Sequence, residues 1–174
     1  MIRSGSFAPV LAALLILPAC HAYSTRPSFP PLTGSPFADL NLSVSRATGV
    51  VVEAFQDDSL PLSHVDLKDG IIETPWFDAT TLAPTKARRL GPNVVQVRAW
   101  VDPTKPGASR VTIETVYRPV ADPSLPEREL DRPVPQDHPV GKRVGELVTD
   151  LVKTYGTPVT DSTAAGAANP ADST

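Results

Sequence analysis

A single cysteine among 174 residues excludes an internal disulfide, and three histidines leave the usual zinc spacings unfilled. There is no glycine-rich phosphate loop, no paired-cysteine motif and no nucleophile elbow. Aromatic residues make up only 6% of the chain. Sixteen Lys and Arg against 19 Asp and Glu give a formal charge of −3, so the chain lacks the basic surplus of a nucleic-acid binder. After residue 17 no long apolar run occurs. These absences exclude a disulfide scaffold and offer no metal, nucleotide or triad chemistry.

What is present begins with Arg3 and an uncharged apolar stretch from Phe7 to Leu17. That run falls short of the about 20 residues of a membrane span, but suits a secretory leader. It closes on Leu17-Pro18-Ala19-Cys20, the last being the lone cysteine. The ending resembles the lipobox of bacterial lipoproteins. The resemblance implies removal of residues 1–19, diacylation of Cys20 and membrane attachment through that lipid. It also implies, from His21 where an aspartate would signal retention, an outer-membrane protein facing the periplasm.

Twenty prolines punctuate the rest. Residues 20–38, with Pro27, Pro30, Pro31 and Pro36, read as a disordered Pro/Ser-rich tether. At about 3.1 Å per residue it would hold the folded part roughly 50 Å from the lipid. Residues 39–156 form one domain by length, and 157–174 read as a disordered tail rich in Ala, Thr, Ser and Asp.

Within the domain, Leu40, Val44, Ala47, Val51, Ala54 and Phe55 line one face of a helix over 40–55, with Asn41 or Asp39 as its cap. Asp69-Gly70 suits a two-residue type I′ hairpin. It would pair Leu67 with Ile72 and Val65 with Thr74, placing these and Trp76 on the core face. Alternation predicts strands over 94–101 and 110–118, joined by a turn at 102–107. The proline-rich stretch 119–139 should lie across the surface. Val140, Val144, Leu147, Val148, Leu151, Val152 and Tyr155 form the stripe of a helix over 140–155, with Asp137 or His138 before it and Gly156 after.

The order predicts an α+β domain, α-β-β-β-β-α, with a four-stranded antiparallel sheet packed on two helices. A helix followed by Asp66-x-x-Asp69-Gly70-x-Ile72-x-Thr74-x-Trp76 resembles the helix-grip domains of lipoprotein C of the β-barrel assembly machinery. That resemblance implies such an architecture and a role in envelope assembly.

Candidate sites are few. His64 with Asp66 and Asp69 lacks a second histidine for a metal site, and Asp137-His138 reads as a helix cap. Asp57-Asp58 and Glu127/Glu129/Asp131 lie in polar stretches with nothing to separate their pKa values. Lys86, Arg88 and Arg89 form a small basic cluster in a loop. Trp100, beside Arg98 and Gln96 on the polar strand face, could be a contact residue or lie under a lid from 119–139. The expected function is therefore non-enzymatic: no catalytic residue, cofactor or metal, and Cys20 as the lipid attachment site. The expected partners are the membrane and another envelope protein, with no nucleic acid. The alternative is a carrier of a small apolar or amphipathic ligand between sheet and helix.

Overall fold

The computed structural model describes residues 24–85, 90–135 and 137–156. The elements in order are β1 (Phe37–Leu40), α1 (Val44–Asp57), β2 (His64–Asp66), β3 (Ile71–Glu73), β4 (Phe77–Asp78), β5 (Val94–Lys105), β6 (Ala108–Tyr117), α2 (Glu127–Leu130), β7 (Arg132–Pro133) and α3 (Pro139–Tyr155). The α+β class stands, but the sheet has seven antiparallel strands rather than four, and there are three helices rather than two. The order across the sheet is β1-β6-β5-β3-β2, with β4 also on β5 and β7 also on β6. The additional strands are short and carry no readable alternation. Pro133 in β7 sits at an edge, where a missing N–H is tolerated.

β5 and β6 form the centre. Val95, Val97, Ala99, Val101, Val111 and Ile113 are fully buried on the face covered by α1 and α3. The strands run on past the turn expected at 102–107 and reverse at Pro106-Gly107, where Gly107 has φ +78°. A register shift between Pro103 and Lys105 lets the prolines into the hairpin.

α1 begins four residues later than the periodicity suggested, because Leu40 is committed to β1. Ser43 occupies the N-cap position, while Asp39 instead forms a two-pronged ion pair with Arg110 at 2.7 and 2.8 Å. α3 is nearly as expected. His138 caps it: its Nδ1 accepts from the Val140 N–H at 3.2 Å, which puts the ring proton on Nε2, 2.9 Å from the Pro92 carbonyl. Val140, Val144, Leu147, Val148 and Leu151 are buried, whereas Val152 is exposed. Its end is fastened where the Asn41 N–H donates to the Tyr155 carbonyl at 2.9 Å.

The Asp-Gly hairpin exists with a different register. Val65 pairs with Ile72 and Asp66 with Ile71, leaving a four-residue turn, 67–70. Gly70 has φ +66° but Asp69 does not have positive φ, so the type I′ turn is not formed. The cause is the Asp66 carboxylate, which accepts from the Lys68 and Asp69 amides at 2.9 Å each. Glycine is required at 70 for a second reason. A Cβ there would lie 2.4 Å from the Val101 carbonyl oxygen.

Val65 and Leu67, expected in the core, are exposed because β2 is a three-residue edge strand. Trp76 is buried, but on the opposite face of the sheet. The Thr74 hydroxyl pairs with the Val97 N–H and C=O, the alternation breaks at Pro75, and Phe77 takes the core position.

Candidate functional site

The face of the sheet turned away from α1 and α3 carries the polar side chains of the alternation: Arg98 and Trp100 from β5, Glu114 from β6. The register places Arg98 directly opposite Glu114. These residues are not displayed to solvent. Trp100 is 2% exposed, Arg98 6% and Glu114 1%. The contact surface expected at Trp100 and Arg98 is thus covered.

The cover comes from two segments. One is the stretch read as a free tether, which from residue 24 onward crosses the sheet as a strap. Thr25 donates from its amide to Asp69 and from its hydroxyl to Asp66, at 2.9 and 2.8 Å. Arg26 pairs with Asp102 at 2.8 Å. The Phe29 ring stands edge-on to Trp100, centroids 6.3 Å apart, and the Leu32 amide donates to Glu114 at 2.8 Å. The strap then turns and pairs as β1 along β6. The tether reading fails from residue 24 because Phe29 packs on Trp100 and Thr25, Arg26 and Leu32 bond to the sheet and its turns despite the prolines. The second cover is α2 with Asp131, so the 119–139 stretch does contribute a lid, which meets Arg98 and Glu114.

Between cover and sheet lies a buried ionic network. Glu114 takes Arg98 at 2.9 Å and Arg128 at 2.6 Å. Asp131 takes Arg118 at 2.7 Å and Arg98 at 3.2 Å. Arg128 also donates to the Pro30 carbonyl at 2.7 Å and stacks 4.3 Å from the Phe29 ring centroid. Arg118 lies 4.6 Å from the Trp76 ring centroid. Removing charges from water is costly unless each is paired and hydrogen-bonded. Here every oxygen of Glu114 and Asp131 meets a guanidinium N–H or the Leu32 amide. The arrangement spends its polarity on holding the strap and α2 in one position. Asp131 therefore departs from its reading as an exposed carboxylate, and Glu114 was not singled out at all. The missed signal was the cross-strand pairing of Arg98 with Glu114.

Among the open grooves of the described residues, two have apolar floors. The first, about 370 Å³, lies between the strap, the β6–β7 edge and the start of α3; its apolar lining includes Leu32, Pro36, Val134 and Val144. Thr115, only 8% exposed, lines it with a hydroxyl that has no hydrogen-bond partner. The second, about 340 Å³, runs between α1 and α3 over Val50, Ala54 and Leu147, rimmed by Glu53, Asp57, Asp58, Glu146 and Asp150. Burial raises the Asp58 pKa against the opposing pull of Arg143, and the neighbouring Glu146, Asp57 and Asp150 raise it further.

The remaining candidates stay apart. His64 is on β2 and His138 caps α3; among the described residues no group of His, Cys, Asp and Glu is placed to hold a metal ion. Cys20, His21, Lys86, Arg88 and Arg89 lie outside the described residues. No described helix is long and apolar enough to cross a membrane.

Asp66 gives a pH prediction. Hydrogen bonds from the Asp69 amide and then the Thr25 hydroxyl hold its carboxyl below the ordinary 3.8. A depressed folded value means that its contribution to stability is complete above 3.8 and is lost as pH falls through the lower folded value. Carbon-detected NMR should place the Asp66 midpoint below 3.8 and move it upward in Thr25→Ala. An unchanged midpoint would show that the strap does not reach the turn. The chain matches no known protein-family model, and no curated protein matches it.

Proposed function

We propose that this chain is a lipid-anchored protein of the bacterial cell envelope, held at the periplasmic face of the outer membrane, that acts by contact rather than by catalysis. The observation that carries the reading is the leader, Arg3 and then an uncharged apolar stretch, closing on Leu17-Pro18-Ala19-Cys20 and followed within a few residues by a strap bonded to the folded domain. Its buried charges serve cohesion, and its helical face offers a partner the groove between α1 and α3, apolar along the floor and acidic along the rim. The partner class is another envelope protein, and an assembly role follows the helix-grip resemblance.

The cavity beside Thr115 favours a second reading, a carrier of a small apolar or amphipathic ligand. Its volume suits a compact molecule, and the unpaired hydroxyl offers one polar contact among apolar walls.

One preparation tests both. The protein extracted from envelope membranes should show diacylated Cys20 at its N-terminus by mass spectrometry, and Cys20→Ser should leave the uncleaved precursor. An unmodified thiol on the mature membrane protein would refute the anchor. Native mass spectrometry of the same sample separates the readings: a retained apolar small molecule favours the carrier, whereas a crosslinked envelope protein favours the contact module.

A further inference from the structure

We infer that the end of the sheet bearing the β2–β3 and β5–β6 turns rests on the same lipid surface that holds Cys20. The inference builds on the anchor reading and adds an orientation to it. Thr25 is bonded to Asp66 and Asp69 in the β2–β3 turn, and Arg26 to Asp102 near the β5–β6 turn. Five Cα steps separate Cys20 from Thr25. At full extension they span at most about 18 Å, whatever path they take. The expected spacer of roughly 50 Å would leave the domain free to turn in any direction. A short leash attached at one end of the sheet brings that end to the bilayer.

The chemistry of this end suits the position. Leu67, 48% exposed, and Val65, 38% exposed, present apolar side chains in and beside the turn. Lys68 and Lys105 are exposed at the two turns. Three acidic residues nearby are engaged by the strap: Asp66 and Asp69 by Thr25, and Asp102 by Arg26. Arg26 offsets Asp102, and Lys68 and Lys105 balance Asp66 and Asp69, so this end is close to neutral and its exposed Leu67 and Val65 can settle at the boundary between headgroups and acyl chains. The acidic groove lies instead between α1 and α3, open to a partner in the periplasm. The strap thus sets how the domain stands on the membrane as well as sealing the sheet.

The test uses the acylated protein in vesicles of phosphatidylethanolamine with a minor share of phosphatidylglycerol. Because Cys20 is blocked by lipid, one introduced cysteine takes a nitroxide label specifically. Leu67→Cys reports from the proposed contact, and Asp137→Cys, exposed before α3 at the other end of the sheet, is the reference. The label at 67 should be several-fold less accessible than that at 137 to a water-soluble nickel relaxant. It should also be more accessible to oxygen, which concentrates in the acyl layer. Equal aqueous accessibility in protein whose mass shows the acyl chains would overturn this orientation and leave the anchor standing. A mass without acyl chains would overturn the anchor, and the orientation with it.

Discussion

Glu114→Ala should destabilise the protein by about 3–5 kcal/mol, the usual cost of removing one partner from a buried ion pair. The carboxylate is 1% exposed and holds Arg98, Arg128 and the Leu32 amide together. Without it Arg98 retains Asp131 and a more distant Glu73 at 3.5 Å, but Arg128 loses its main partner and the strap loses its central bond. Urea melts give the magnitude. Amide exchange gives the location, since protection should fall at the Leu32 and Ser35 amides before it falls in β5. Glu114→Gln separates charge from shape: it keeps an acceptor for Leu32 but leaves the guanidiniums short of one negative charge. A near-neutral alanine variant with the strap amides still protected would mean that the network does not hold the strap.

Leu151→Ala should cost about 2–5 kcal/mol, as large-to-small changes in a packed core do. Leu151 is 4% exposed and Leu147, one turn earlier, 5%; both face the core cluster under the sheet. Domain stabilities are typically about 5–15 kcal/mol, so the loss would move the urea midpoint far down. Lys153, exposed on the same helix, should cost under about 0.5 kcal/mol when changed to alanine. Melts of the full chain compare the two directly. Equal effects would show that α3 does not rely on its apolar stripe for docking.

The two predictions fall on opposite faces of one sheet, and the faces differed in how far they could be read. The α3 stripe and the alternation of β5 and β6 are local properties: a period of 3.6 or 2 marks which side meets a core. Leu147, Leu151, Val97 and Ile113 could be assigned without knowing what they touch. The start of α3 was likewise legible from Pro139 at the first helical position, although the choice between Asp137 and His138 as its cap was left to the structure. The Asp69-Gly70 signal located a hairpin correctly but misjudged its turn. Asp66, three residues before Asp69, supplies a side-chain acceptor that a count of turn residues does not weigh.

The opposite face was not legible in the same way. Arg98 and Glu114 occupy polar positions of an alternating pattern, and that pattern normally marks solvent. Their cover comes from Phe29 and Leu32, in a proline-rich stretch whose composition matches a linker, and from Asp131 in another. Leu32 is 82 positions from Glu114, and no periodic signal spans that separation. By itself, the sequence determined the α+β class, the central hairpin, the buried stripe of α3 and an expected lipid anchor at Cys20. Only the tertiary structure decided that the sheet is covered on both faces, that the chain is bonded to the domain from Thr25 onward, and where open grooves lie. The physical reason is that burial of a charge depends on which partners converge on it, and convergence belongs to the fold rather than to neighbouring residues.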